Sequence, residues 1–124
     1  METRADVLIV GAGMVGSALA LALRHSGLQV VLLDGGPLSV KPFDQQAAFE
    51  PRVSALSAAS QRILERLGAW DGIVARRLSP YTDMHVWDGS GTGQIHFSAA
   101  SVHADLLGHI VENRVVQDGL LERL

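Results

Sequence analysis

Three glycines at a fixed spacing, set between an apolar run and a helical one, constrain this chain more than any other feature. Gly11-Ala12-Gly13-Met14-Val15-Gly16 has the pattern G-x-G-x-x-G. It directly follows Asp6-Val-Leu-Ile-Val10, a short β-branched run of the kind buried on both faces of a parallel sheet. It opens the stretch from Met14 to Ser26, where Ala18, Leu19, Ala22 and Leu23 are spaced to share one helical face. Gly27 is placed as a left-handed stop, with Arg24 and His25 in the last turn where cations suit the helix dipole. Gln29-Val-Val-Leu-Leu33 is a second buried strand. A strand, a helix and a strand in so few residues predict a right-handed βαβ crossover.

Context gives the glycines their chemistry. Gly11 permits the tight turn off the strand, Gly13 lets the backbone approach a pyrophosphate, and Gly16 lets the helix pack closely on the sheet. The free N–H groups at the N-terminus of that helix carry partial positive charge and bind a diphosphate. Asp34 closes the second strand eighteen residues after Gly16, where a carboxylate accepts from the ribose hydroxyls of an adenosine and repels a 2′-phosphate. The competing readings are a ligand-free strand-to-helix turn and a solvated acid at a strand end. These features do not separate FAD from NAD.

Nearly half of the 124 residues are apolar and 19% are charged, enough to build a core and too apolar for a disordered segment. The net charge of −3 includes no run of like sign, which argues against nucleic acid as a partner. Cysteine is absent, which excludes disulfides, thiolate metal sites and cysteine nucleophiles and is compatible with a reducing cytoplasm. The apolar stretch from Val7 to Leu23 resembles a signal peptide or membrane span at first sight, but Asp6 and the three spaced glycines argue against both. The five histidines show no ligand pairing, so no metal site is expected.

Further along, Gly35 to Pro51 reads as a loop, Ser57 to Leu67 as a helix with Ile63, Leu64 and Leu67 on its apolar side, and Trp70 to Leu78 as one or two more helical turns. Asp83 to Asp88 and Gln94 to Phe97 alternate around a glycine-rich turn and predict a β-hairpin, with His85 and His96 facing each other or solvent. Trp70 and Trp87 are expected as core anchors. His109 to Val111 is a short strand, and Asn113 is placed to cap a helix through Val116, Leu120 and Leu124. That helix runs to the end with no closing element, so the chain reads as part of something longer. The expected organisation is a nucleotide-binding unit over 1–78, a hairpin excursion over 79–108, and a return strand and helix over 109–124.

Glu50-Pro-Arg-Val-Ser-Ala-Leu-Ser57 with the following Ala58 to Trp70, then Ser79 to Asp88, then Gly108-His-Ile-Val-Glu-Asn113, resemble the ubiquinone-biosynthesis hydroxylases, a branch of the flavoprotein aromatic hydroxylases. The resemblance covers essentially the whole chain in order and is nearest the branch acting on polyprenyl phenols or their methoxylated relatives. It implies an α/β fold in which a Rossmann-like βαβ unit on a parallel sheet binds FAD and the hairpin leads toward a substrate domain. It implies that Gly11, Ala12, Gly13, Met14, Val15, Gly16 and Asp34 contact the cofactor, that Arg52 lies near the flavin's phosphates and ribityl chain, and that Asn113 stands where relatives carry an amide reaching the flavin. The family usually carries Glu at the position of Asp34; the shorter acid still reaches a ribose. For Arg52 the alternative is an ion pair with Glu50 or Asp44, for Asn113 a helix cap, and for Arg114 a solvated helix start.

The implied reaction takes hydride from NAD(P)H onto FAD and delivers one atom of O₂ to the ring of a prenylated phenol, the other leaving as water. No catalytic residue is assigned. The family's second flavin motif, a Gly-Asp-Ala-like segment, lies outside these residues, so the chain alone is not expected to turn over. The isoprenoid tail of such a substrate leaves room for peripheral membrane or biosynthetic-complex association, and the oligomeric state is open. Two rivals stand beside this reading: a nicotinamide-dependent dehydrogenase, and a non-enzymatic flavin-fold protein that binds prenyl chains.

Overall fold

The computed structural model describes residue 2 and residues 4–124. Strand β1 (Val7–Val10) runs parallel to β2 (Val30–Leu33), with Val7 opposite Val30 and Val10 opposite Leu33. Helix α1 (Met14–Leu23) connects them, completing the expected βαβ unit. The helix stops three residues before Ser26, because the Ser26 hydroxyl donates to the Leu23 carbonyl and draws the chain into a turn.

Two details of this unit depart from expectation. Side chains alternate across a strand, and only the face carrying Ile9 is covered by α1; Leu8, Val10 and Leu33 lie open on the other, with Val10 79% exposed. The strands are therefore buried on one face, not two. The helix in turn buries Ser17, Ala20 and Leu21, while Leu19 and Ala22 face outward. Its buried side packs against a second helix as well as the sheet, and small residues at Ser17 and Ala20 permit that close approach.

Strand β3 (Val53–Ser57) follows the long loop, an element that no periodicity in the sequence predicts. Helix α2 (Ala58–Arg66) starts at Ser57, whose hydroxyl accepts from Ser60 N–H. It buries Leu64, with Leu67 following, but Ile63 is exposed, so the apolar stripe is narrower than its spacing implied. Gly68, at φ +78°, turns the chain into α3 (Trp70–Arg76). Strand β4 (Ser79–Tyr81) is short and was not anticipated; Pro80 removes a donor, and β4 lies at the sheet edge where that is tolerated. Strands β5 (Asp83–Trp87) and β6 (Gln94–Ser98) form the expected hairpin, with His85 opposite His96 and ring centroids 5.9 Å apart. Trp87 is 68% exposed and so is not a core anchor in this chain, whereas Trp70 packs on the core.

After a 3₁₀ turn at Ala99–Val102, strand β7 (Gly108–Glu112) enters between β3 and β4, antiparallel to both. Helix α4 (Asn113–Leu121) then lies against α1 and α3. It ends before Leu124, which is exposed, while Val116 and Leu120 are buried as expected. The core joins Leu21 of α1, Leu64 and Leu67, Ile73 of α3, Val111 of β7 and Val115, Val116 and Leu120 of α4. Among the described residues no helix is long and apolar enough to cross a membrane.

Candidate functional site

The glycine loop sits where β1 ends and α1 begins. Gly11 has φ +104°, a conformation that L side chains rarely adopt. A Cβ on Gly16 would lie 1.8 Å from the Gly11 carbonyl oxygen and 3.4 Å from Ile9 Cγ2. Gly16 thus closes the loop on itself first and packs on the sheet second. Gly13 is the N-cap and has no side chain with which to cap the helix. Around it a Cβ would meet nothing within 4 Å. Among the described residues, the N–H groups of Gly13, Met14 and Val15 find no protein acceptor, and no acidic side chain stands in the first turn. These are donors with positive character and open space in front of them, the chemistry an anionic group needs.

Asp34 stands beside this loop. Its Oδ2 accepts from Ala12 N–H at 2.7 Å and its Oδ1 from Gly36 N–H at 2.8 Å. Those two backbone donors, Ala12 first, hold its carboxyl below the usual carboxylate range. A carboxylate has about four acceptor positions, so the ionised, exposed group retains capacity for two hydroxyls. The Ala12 carbonyl is held as well. It accepts from the buried Ser17 hydroxyl at 3.1 Å and from Gln117 Nε2 of α4 at 2.8 Å. Gln117 was not singled out from the sequence, since its partner is 105 positions away.

Arg52 and Asn113 come together at a neighbouring cleft of 540 Å³ between the loop 37–52 and α4, which Lys41, Arg114 and Gln117 also line. The Arg52 carbonyl accepts from Asn113 N–H, joining the ends of β3 and β7. Among the described residues the Arg52 side chain makes no ion pair; Glu50 pairs with Arg114 at 3.7 Å instead. Asn113 is not a helix cap. Glu112 holds that position, though its side chain does not cap the helix, and Asn113 Oδ1 accepts from Ser54 Oγ. Arg114 is more engaged than a bare helix start, lying also 4.0 Å from Asp118, whose carboxyl is raised by burial and partly offset by Arg114. Gln117 lines the cleft and touches the glycine loop, so it links the two groups of residues.

A second arrangement escaped the sequence reading. Arg77 pairs through Nε and Nη2 with both carboxylate oxygens of Glu112, which is 5% exposed. The same guanidinium donates to the carbonyls of Ala47 and Ala48 and lies 4.1 Å above the Phe49 ring. Glu112 Oε2 also accepts from Glu50 N–H. The pair ties the loop that leads to Arg52 down against β7. Its only sequence signal is an arginine and a glutamate 35 positions apart, which no spacing rule connects.

A family model described as FAD binding domain matches residues 4–116. The 3-demethoxyubiquinol 3-hydroxylase of Escherichia coli strain K12 is 40% identical over 119 residues, covering 96% of this chain and 30% of that protein. The mitochondrial ubiquinone biosynthesis monooxygenase COQ6 of Xenopus tropicalis is 40% identical over 126 residues, covering 96% of this chain and 26% of that protein. The chain therefore spans less than a third of the length of these relatives. Among solved structures, the p-nitrophenol 4-monooxygenase PnpA from Pseudomonas putida DLL-E4 matches with a TM-score of 0.65 and 25% identity, over 99% of this chain and 29% of that one.

Proposed function

Because this chain belongs to the FAD-binding-domain family and aligns within it with ubiquinone-biosynthesis hydroxylases, we propose that it is the part of a flavin monooxygenase that holds the dinucleotide end of FAD. One observation carries the reading: uncapped N–H donors of α1 open onto free space directly beside the ionised Asp34. The diphosphate takes the N–H groups of Gly13, Met14 and Val15; Gly11, Ala12 and Gly16 shape the turn that presents them. Asp34 accepts from the adenosine ribose. Arg52, free of internal ion pairs, offers a planar fork of donors to phosphate or ribityl oxygens, and the Asn113 amide keeps its NH₂ for the same cleft.

Bound FAD supplies the redox and oxygen-activating chemistry, with NAD(P)H as reductant and the ring of a prenylated phenol as the hydroxylated group. The names of the aligned relatives support that substrate class. In this reading the described residues bind and orient, and the catalytic surroundings of the ring are left to other parts of the complete protein. The proposed organisation is a nucleotide-binding unit over 1–78, a hairpin excursion toward the substrate over 79–108, and a return strand and helix over 109–124. The family match weighs against a nicotinamide-only dehydrogenase.

A visible absorption spectrum of the complete purified protein, before and after anaerobic NADPH, tests the reading. Flavin bands that bleach on reduction are expected. A colourless protein that FAD does not reconstitute would remove it and favour the non-enzymatic alternative. Arg52→Ala is expected to weaken FAD binding about tenfold to a hundredfold, the worth of one or two charge-assisted hydrogen bonds. Its unfolding midpoint should stay at the wild-type value, since the side chain is exposed and makes no ion pair among the described residues. A flavin titration beside a thermal melt checks both halves.

A further inference from the structure

The peptide between Ala12 and Gly13 is a planar unit, and the chain contains no cis bond among its described residues, so the Ala12 C=O and the Gly13 N–H point in opposite directions. Whatever fixes one fixes the other. The carbonyl is turned inward, where Ser17 Oγ and Gln117 Nε2 both donate to it. The N–H is thereby turned the opposite way, where no described residue supplies an acceptor, and a Cβ on Gly13 would likewise meet no atom within 4 Å. On the Ala12 side, the preceding N–H is bound to Asp34. The loop is held by three side chains, and of these Gln117 is the one supplied by a distant helix.

We propose that Gln117 is a positioning residue for the cofactor: its carboxamide pins the Ala12 carbonyl so that Gly13 N–H is presented, already oriented, to the diphosphate. The inference rests on the flavin reading above. Two consequences follow from the geometry. The hydrogen bonds to the carbonyl polarise the peptide and strengthen its N–H as a donor. They also remove a rotation that would otherwise be lost when the ligand binds, which is preorganisation. Ser17 alone does not supply this, because it belongs to the same helix as the loop and moves with it, whereas Gln117 anchors the loop to α4.

The test is Gln117→Met in the complete protein, which keeps length and volume and removes the donor. FAD affinity should fall about tenfold, the scale of one hydrogen bond plus lost orientation. Affinity for riboflavin, which lacks any phosphate, should be unchanged, a split that general loosening of the fold would not produce. Gln117→Glu should bind FAD at least as weakly as Gln117→Met at neutral pH, because an ionised carboxylate has nothing to donate and adds negative charge beside the diphosphate. Equal FAD affinity in wild type and Gln117→Met overturns the inference and leaves the flavin reading standing; a wild type that binds no FAD overturns both. Should the variants fail to fold, the wild-type flavin complex decides: a crystal structure with Gly13 N–H turned away from the diphosphate, or Gln117 detached from Ala12, sinks the proposal.

Discussion

Gly16→Ala is expected to remove FAD binding and to destabilise the fold at the same time. The added Cβ would sit 1.8 Å from the Gly11 carbonyl oxygen and 3.0 Å from its carbon, both backbone atoms held by the β1 to α1 turn. No rotamer relieves such a contact; the loop or the helix must shift. The cost should reach at least about 3 kcal/mol, the upper range for overpacking against an unyielding neighbour. Displacing the loop by that much misaligns two or more N–H donors, so affinity should drop at least about a hundredfold. Gly13→Ala is the informative contrast. Gly13 has φ −70°, which alanine adopts readily, and its Cβ would meet only open space. The apoprotein melt should be near wild type while FAD binding falls, because the methyl group stands where the diphosphate approaches. If Gly13→Ala bound FAD normally, the cofactor would not lie against this loop.

Arg77→Ala should be the most damaging change outside the glycine loop. It leaves Glu112, nearly fully buried, without its ion-pair partner and frees the 43–50 segment from its anchor. Breaking a buried pair from one side costs about 3 kcal/mol or more. The pH dependence carries a definite sign. Arg77 foremost, with Glu50 N–H, holds the Glu112 carboxyl below its ordinary range. Its contribution is complete above the unfolded value of about 4.3 and is lost as pH falls through the lower folded one. In the variant the same carboxylate is desolvated with less to offset it, so protonation no longer costs stability. Urea unfolding at neutral pH and near pH 3 should therefore find a large gap between wild type and Arg77→Ala that narrows on acidification. A gap of constant size would mean that the pair contributes nothing through charge.

The parts of the fold that were legible in the sequence are those decided by neighbours in the chain. The βαβ unit, the hairpin and α2 rest on apolar period and turn glycines, all readable within a few residues. Strand β3 was not, because Val53-Ser-Ala-Leu-Ser57 is half exposed and weak in β-branched residues; only pairing with β7 makes it a strand. The glycines and Asp34 were legible as a group because the motif itself is local. That Arg52 and Asn113 line one cleft follows from β3 and β7 pairing, which no periodicity predicts. Gln117 and the Arg77 to Glu112 pair are set by the tertiary approach of α4 and β7, and no spacing in the sequence connects their partners.

The bond from Gln117 to Ala12 has a further consequence for biosynthesis. Strand β2 ends at Leu33 and α4 begins at Asn113, so at a synthesis rate of 5–20 residues per second roughly 4 to 16 s separate their emergence. During that interval the βαβ unit is complete in sequence and the carbonyl of Ala12 has only Ser17 as a donor. The glycine loop is thus made well before the helix that braces it.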